Sequence, residues 1–102
     1  MRRVMVRYKV KPDQVERNEQ LVREVYEELK QKSPAGIRYA TFKLEDGVSF
    51  VHIASTETAD GHTPLSDLAT FRAFQENIGD RCDEPPAPVT MTEIGSFRFF
   101  GD

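Results

Sequence analysis

The sequence predicts a single α+β domain with element order βαββαβ. Three observations carry the prediction. Residues Ile37 to Ser55, IRYATFKLEDGVSFVHIAS, read as a β-hairpin turning at Asp46-Gly47. A stripe of apolar residues at helical spacing precedes the hairpin and a second comes after it. Alternating apolar residues open the chain, and a run rich in aromatic and β-branched residues closes it.

At 102 residues the chain is long enough for one core without disulfide or metal staples. Its single cysteine excludes an internal disulfide. The net charge of -3 argues against nucleic acid or an anionic membrane as the main partner. Met1-Arg2-Arg3 is basic, but Arg7, Lys9 and Lys11 interrupt the next residues, so no apolar signal core forms. No run approaches the ~18 apolar residues of a membrane span. A cytoplasmic protein is the expectation.

Arg3 to Val10 alternate, with Val4, Val6, Tyr8 and Val10 on one side and Met5, Arg7 and Lys9 on the other. That is a strand with one strongly apolar face. Pro12-Asp13 closes it and opens a helix from Gln14 to Lys32, with Asp13 as N-cap. Val15, Leu21, Val22, Val25, Tyr26 and Leu29 fall at helical spacing, and the remainder is almost all charged or amide-bearing. Ser33-Pro34-Ala35-Gly36 stops this helix.

With Asp46-Gly47 as a two-residue type I′ loop, Glu45 faces Val48 and the hairpin register is set. Leu44/Ser49, Phe42/Val51 and Ala40/Ile53 share one face, expected to pack on the helices. Lys43/Phe50, Thr41/His52 and Tyr39/Ala54 share the other. A loop of about ten residues comes after Ser55. Thr63-Pro64 supplies an N-cap and N1 pair for a second helix, with Ser66-Asp67 as a later start. Leu68, Phe71, Phe74 and Ile78 form its stripe and Gly79 its stop. Pro85-Pro86-Ala87-Pro88 reads as a stiff extended link, and Val89 to Phe100 as the last strand, with Gly95 a bulge or bend.

Antiparallel pairing and right-handed crossovers turn this order into the ferredoxin-like split βαβ arrangement, an antiparallel sheet with two helices on one face. The other face is expected to carry Tyr39, Thr41, Phe50 and His52, with Met5 and Arg7 from the first strand. It is too apolar to meet water. A second copy across a two-fold axis would cover it and close a homodimeric α/β barrel.

Over nearly its whole length the chain resembles the dimeric α/β-barrel superfamily, and within it the antibiotic biosynthesis monooxygenase-like group. The resemblance rests on the element order, on VSFVHIAS leading into a long loop, on the Leu68-Ala69-Thr70-Phe71-Arg72-Ala73-Phe74 helix, and on Gly95-Ser96-Phe97-Arg98 near the end. It implies a homodimer with one pocket per subunit between sheet and helices, and an activity among cofactor-independent oxygenases of aromatic polyketides, quinol-type monooxygenases and haem-degrading enzymes. The chain has no tryptophan, and its asparagines, Asn18 and Asn77, fall in predicted helices rather than on the first strand. No catalytic residue of the haem-degrading branch, or of the polyketide oxygenases that use a tryptophan, carries over.

His52 is the candidate base, because an imidazole can take or give a proton near neutral pH. The plainer role is a packed histidine hydrogen-bonded to Thr41 or Tyr39. Arg7 is the candidate oxyanion stabiliser, or else a salt-bridge partner of Glu93. Tyr39, Thr41, Phe50, Phe74 and Phe97 are candidates to line a pocket for a flat aromatic ligand, and His62 to close over it from the loop; aromatics at such spacing also make plain core. Tyr8 is a further candidate for that pocket, or else, sharing the parity of Val4, Val6 and Val10, a member of the helix-facing core. Cys82 lies among acids that disfavour a thiolate. No metal spacing, phosphate loop or dinucleotide fingerprint is present, so neither metal nor cofactor is expected. The expected function is cofactor-independent oxidation of an aromatic or quinol-like molecule, with a non-catalytic or stress-associated binding barrel as the alternative.

Overall fold

The computed structural model describes residues 1–99. Phe100, assigned above to the last strand, lies outside the described residues. Strand β1 spans Arg2–Val10, helix α1 Val15–Lys32, β2 Ile37–Lys43, β3 Ser49–Thr56, α2 Ala69–Gln75, α3 Ile78–Arg81 and β4 Cys82–Met91. The sheet runs β2-β3-β1-β4 with every neighbouring pair antiparallel. This is the ferredoxin-like α+β arrangement. No helix among the described residues is long and apolar enough to cross a membrane.

The hairpin register is the one the sequence predicts. Phe42 pairs with Val51, Ala40 with Ile53, Thr41 with His52 and Lys43 with Phe50. The turn differs. A type I′ turn needs positive φ at both central residues, and only Gly47 adopts it, at 78°. Leu44 and Gly47 instead close a tight turn, with Gly47 N–H donating to the Leu44 carbonyl at 3.0 Å. Asp46 fixes this geometry with its side chain. It accepts from the Val48 and Ser49 amides at 3.0 and 2.8 Å and from Ser49 Oγ at 2.6 Å. These donors pull its carboxyl down to about 2.

Which face the helices cover is also decided differently. On β1, Val6 pairs with His52 and Tyr8 with Phe50, whereas Met5 pairs with Ile53 and Arg7 with Val51. Partners across a strand pair share a face. The Val4–Val10 side of β1 is therefore continuous with Phe50, His52, Thr41 and Tyr39. The core forms there. Tyr8, Val10 and Phe50 are buried together with Leu21 and Val25 of α1 and with Leu65, Leu68 and Phe74. The Ala40/Phe42/Val51/Ile53 face is the one the helices leave open, and Phe42 is 47% exposed.

Two further boundaries move. The proline run belongs to β4 itself, where Pro88 pairs with Val6 and Ala87 with Arg7. Prolines are tolerated because β4 is an edge strand, so a missing N–H can face the side without a neighbour. The strand ends at Met91, before Gly95. The second helix is interrupted: α2 stops at Gln75, Asn77 takes a left-handed φ of 56°, and Gly79 lies inside the short α3 instead of ending a helix. Thr63 does cap the preceding 3-10 turn at Pro64–Asp67, accepting from the Leu65 amide. Asp13 caps nothing through its side chain, because Pro12–Gln14 forms a 3-10 turn ahead of α1. Glu28 of α1 substitutes for a missing cap on α2. It accepts from both the amide and the hydroxyl of Thr70, at 3.0 and 2.6 Å.

Gly36, at the entry to β2, has φ of 83°, and an added Cβ would stand 2.6 Å from the Thr58 methyl. Gly36→Ala is expected to cost roughly 1–3 kcal/mol of stability through the combined steric and backbone strain. Urea unfolding of the two proteins at neutral pH measures this.

Candidate functional site

The covered sheet face carries a chain of polar side chains inside an aromatic core. His52, on the central strand β3, is 4% exposed. Its Nε2 lies 2.8 Å from Tyr8 Oη on β1. Its Nδ1 faces Tyr39 Oη and Thr41 Oγ1 on β2, the second at 3.1 Å. Thr41 Oγ1 in turn lies 2.7 Å from Tyr26 Oη of α1. On the other side Asn18 of α1, fully buried, donates from Nδ2 to Tyr8 Oη at 2.9 Å. Beyond Asn18 stands Arg81, at the end of α3. Its Nη2 donates to the Phe74 carbonyl at 2.6 Å and lies 3.5 Å from Asn18 Oδ1, and Nη1 donates to the Glu76 carbonyl at 3.2 Å. Arg81 Nε is buried without a hydrogen-bond partner among the described residues, and the guanidinium sits 5.6 Å from the Phe74 ring centroid.

Aromatic packing holds these groups in place. Tyr8 stacks on Phe50 with centroids 5.5 Å apart, Tyr39 stacks on Tyr26 at 5.4 Å, and His52 lies 5.2 Å from Phe74. Burial decides protonation. Desolvation pushes His52 down to about 4, so the imidazole is neutral at pH 7. The same desolvation pushes the Tyr8, Tyr26 and Tyr39 phenols upward, so they stay protonated.

A cavity of about 330 Å³ opens between this cluster, α2 and β4. Tyr8, Tyr39, His52 and Gln75 supply its polar atoms; Val4, Val6, Ala54, Leu65, Phe71, Phe74, Ile78 and Pro86 supply its apolar wall. Among the described residues no charged side chain lines it. A cavity of this size and lining suits a small, flat, neutral molecule with one or two oxygens. Among the described residues no group of three or more His, Cys, Asp and Glu stands together as a metal ion would require.

The predicted residues separate into those the fold gathers and those it disperses. Tyr39, His52 and Phe74 line the cavity. Thr41 and Phe50 stand behind it, Thr41 against His52 and Phe50 against Tyr8. Arg7 does not reach it. It is exposed on the opposite sheet face, because its β-partner is Val51 and not His52. The expected Arg7–Glu93 pair is replaced by one between Arg3 and Glu93. Phe97 lies beyond the end of β4, 82% exposed, in a separate groove with Arg3, Ile53 and Met91. His62 is exposed, with Nε2 3.1 Å from both carboxylate oxygens of Asp67, and lines no part of the cavity. Sequence reasoning missed Asn18 and Arg81. Asn18 had a signal: it stands three, four and seven residues before Leu21, Val22 and Val25, in line with the apolar stripe. Arg81 had none.

No family model matches the sequence, and no curated protein matches it. Solved structures do match by shape. A crystal structure of an antibiotic biosynthesis monooxygenase superposes with TM-score 0.72 and 20% identity over 93% of this chain and 100% of its own. The chain has that fold. A provisionally named antibiotic biosynthesis monooxygenase from Nitrosomonas europaea gives TM-score 0.73 and 19% identity, covering 91% of this chain and 89% of the other. A second Nitrosomonas europaea protein, of unknown function, gives 0.72 and 13%, with 94% and 91% covered. The fold implied by the sequence resemblance is thus the fold found, shared by proteins whose names differ in what they claim.

The buried neutral histidine has a consequence for stability. Its folded pKa lies below its ordinary value of 6.5, so the unfolded chain takes up a proton first as pH falls. Stability contributed by neutral His52 is complete above pH 6.5 and is lost progressively down to about 4, amounting to about 3 kcal/mol. Urea unfolding across that window is expected to show this decline in the wild type and a shallower one in His52→Gln.

Proposed function

We propose that the cavity binds a flat, neutral, oxygen-bearing aromatic molecule and that the protein oxidises it without a bound cofactor. The observation that carries this reading is the uncharged cavity with the Tyr39–His52 pair at its polar end and aromatic residues around it. In such a reaction the substrate supplies every electron: SH2 + O2 → SO + H2O, with one oxygen atom in the product and the other leaving as water with both substrate hydrogens. The substrate must first lose a proton, taken up by hydroxide or a buffer base at the cavity mouth and returned in the water formed, because its anion reduces oxygen far more readily than the neutral form. A hydroxyl donor at Tyr39 would favour that loss by holding the developing oxyanion. The apolar wall would keep water away from it. His52 acts in this scheme through Tyr39, since both of its ring nitrogens already have partners.

The same occupied imidazole, with its low basicity, favours a second reading: a barrel that binds such a molecule and does not turn it over. Oxygen uptake with anthrones and dihydroxynaphthalenes separates the two. The enzyme reading expects uptake that falls about tenfold or more in Tyr39→Phe and in His52→Gln. Binding with no uptake selects the second reading, and absence of both overturns the small-molecule role.

We further propose that the open sheet face is covered by a second copy of the chain. Met5, Ala40, Val51 and Ile53 on that face are half-buried, while Phe42 and Val89 are about half exposed, at 47% and 50%. An apolar face of that extent is unusual on a monomer. Light scattering across a concentration series is expected to give twice the chain mass of 11.7 kDa, and Phe42→Asp to shift the mass toward the monomer. A wild-type monomer at all concentrations would refute the dimer. It would leave the cavity untouched, because the cavity lies on the other side of the sheet.

A further inference from the structure

The buried polar chain has a direction, and Arg81 sets it. A guanidinium only donates. The atom of Asn18 turned toward Arg81 is therefore the amide oxygen, and the NH2 group faces Tyr8. Tyr8 Oη accepts from Asn18, so its own proton goes to the neighbour that remains, His52 Nε2. A ring nitrogen that accepts carries no proton. The neutral imidazole then holds its hydrogen on Nδ1 and donates toward Tyr39 Oη and Thr41 Oγ1.

Beyond His52 stand three hydroxyls, Tyr39, Thr41 and Tyr26. Thr41 Oγ1 lies 2.7 Å from Tyr26 Oη. Tyr39 Oη accepts from Nδ1–H, the shorter of the two contacts on that nitrogen, so the tyrosine's own proton is available to donate elsewhere. Tyr39 is the member of this trio that lines the cavity. Hydrogen bonds in a chain polarise one another in the direction of donation. With a buried cation at its head, the chain strengthens Tyr39 as a donor and weakens it as an acceptor.

We infer that Arg81 and Asn18 act as positioning residues that hold His52 in its Nδ1–H tautomer and present the Tyr39 hydroxyl proton to the cavity, so that the cavity prefers ligands whose oxygen accepts, such as a quinone or ring ketone, over phenols that must donate. The ligand preference rests on the proposed small-molecule role; the direction of the chain does not.

Isotope-edited NMR of the His52 ring reads the direction without any ligand. In the wild type at neutral pH, Nδ1 is expected to be protonated and Nε2 bare. Asn18→Asp places an acceptor-only carboxylate beside Tyr8, captures the Tyr8 proton and is expected to switch His52 to Nε2–H. Titration with naphthoquinone and with naphthol then reads the preference. The quinone is expected to bind the wild type several-fold to about tenfold more tightly, the scale of one hydrogen bond, and the ratio to shrink in Asn18→Asp. An Nε2–H or doubly protonated ring in the wild type overturns the inference, even if Asn18→Asp fails to fold. An unchanged tautomer in folded Asn18→Asp also overturns it, as does tighter binding of naphthol. If the tautomer is as stated and neither compound binds, the direction of the chain stands and the small-molecule role falls, taking the ligand preference with it.

Discussion

A neutral histidine buried with both ring nitrogens occupied is the constraint around which this molecule is arranged. A lone imidazole in an apolar core would forfeit its hydrogen bonds to water. His52 is held there because each ring nitrogen meets a hydroxyl, Tyr8 on one side and Tyr39 with Thr41 on the other. Those hydroxyls come from the two strands that flank β3, so the pairing of all three strands is tied to one side chain. The helices close the remaining gaps. α1 contributes Asn18 to Tyr8 and Tyr26 to Thr41, and the end of α3 brings Arg81 behind Asn18. Removing one member leaves the next with an unmet donor or acceptor, so the cluster specifies a single arrangement of sheet and helices.

Arg81 is the costly member. It is buried without a carboxylate partner among the described residues, compensated by two main-chain carbonyls, the Asn18 amide oxygen and the face of Phe74. Burial lowers its pKa, as expected for a cation short of counter-charge. The break between α2 and α3 makes this placement work. An unbroken helix would have used the Phe74 and Glu76 carbonyls for its own ladder. The left-handed Asn77 turns the chain so that these oxygens face the guanidinium.

The two faces of the sheet divide the labour. The helix-covered face holds the cavity, its polar end and the aromatic wall. The opposite face carries Arg7, Phe42 and Val89. The proposed ligand site and the proposed contact with a second copy therefore lie on separate faces. The edge strand β4 links them: Pro86 lines the cavity, while Val89 faces away on the open side.

Much of this was legible from local chemistry. The 3.6-residue stripe fixes α1, the period-2 alternation fixes β1, and the Asp46-Gly47 signal sets the hairpin register correctly although the turn itself takes another form. These are interactions between residues close in sequence, where spacing and turn geometry suffice. The helix-facing side of the hairpin was not legible, because it depends on the pairing of β1 with β3, two strands separated by a helix and another strand. A one-residue change in that register would exchange every side chain between faces. The hairpin offers two plausible faces, and only the alignment of Val6 with His52 chooses between them. The same alignment removes Arg7 from the site and admits Tyr8. Asn18 and Arg81 are 63 residues apart and meet only in the folded core. By itself the sequence determined α1, β1 and the hairpin register, and it singled out His52 as a candidate. The tertiary structure decided which face is interior, what partners that histidine has and whether it carries charge, because burial and long-range pairing belong to no local stretch of chain.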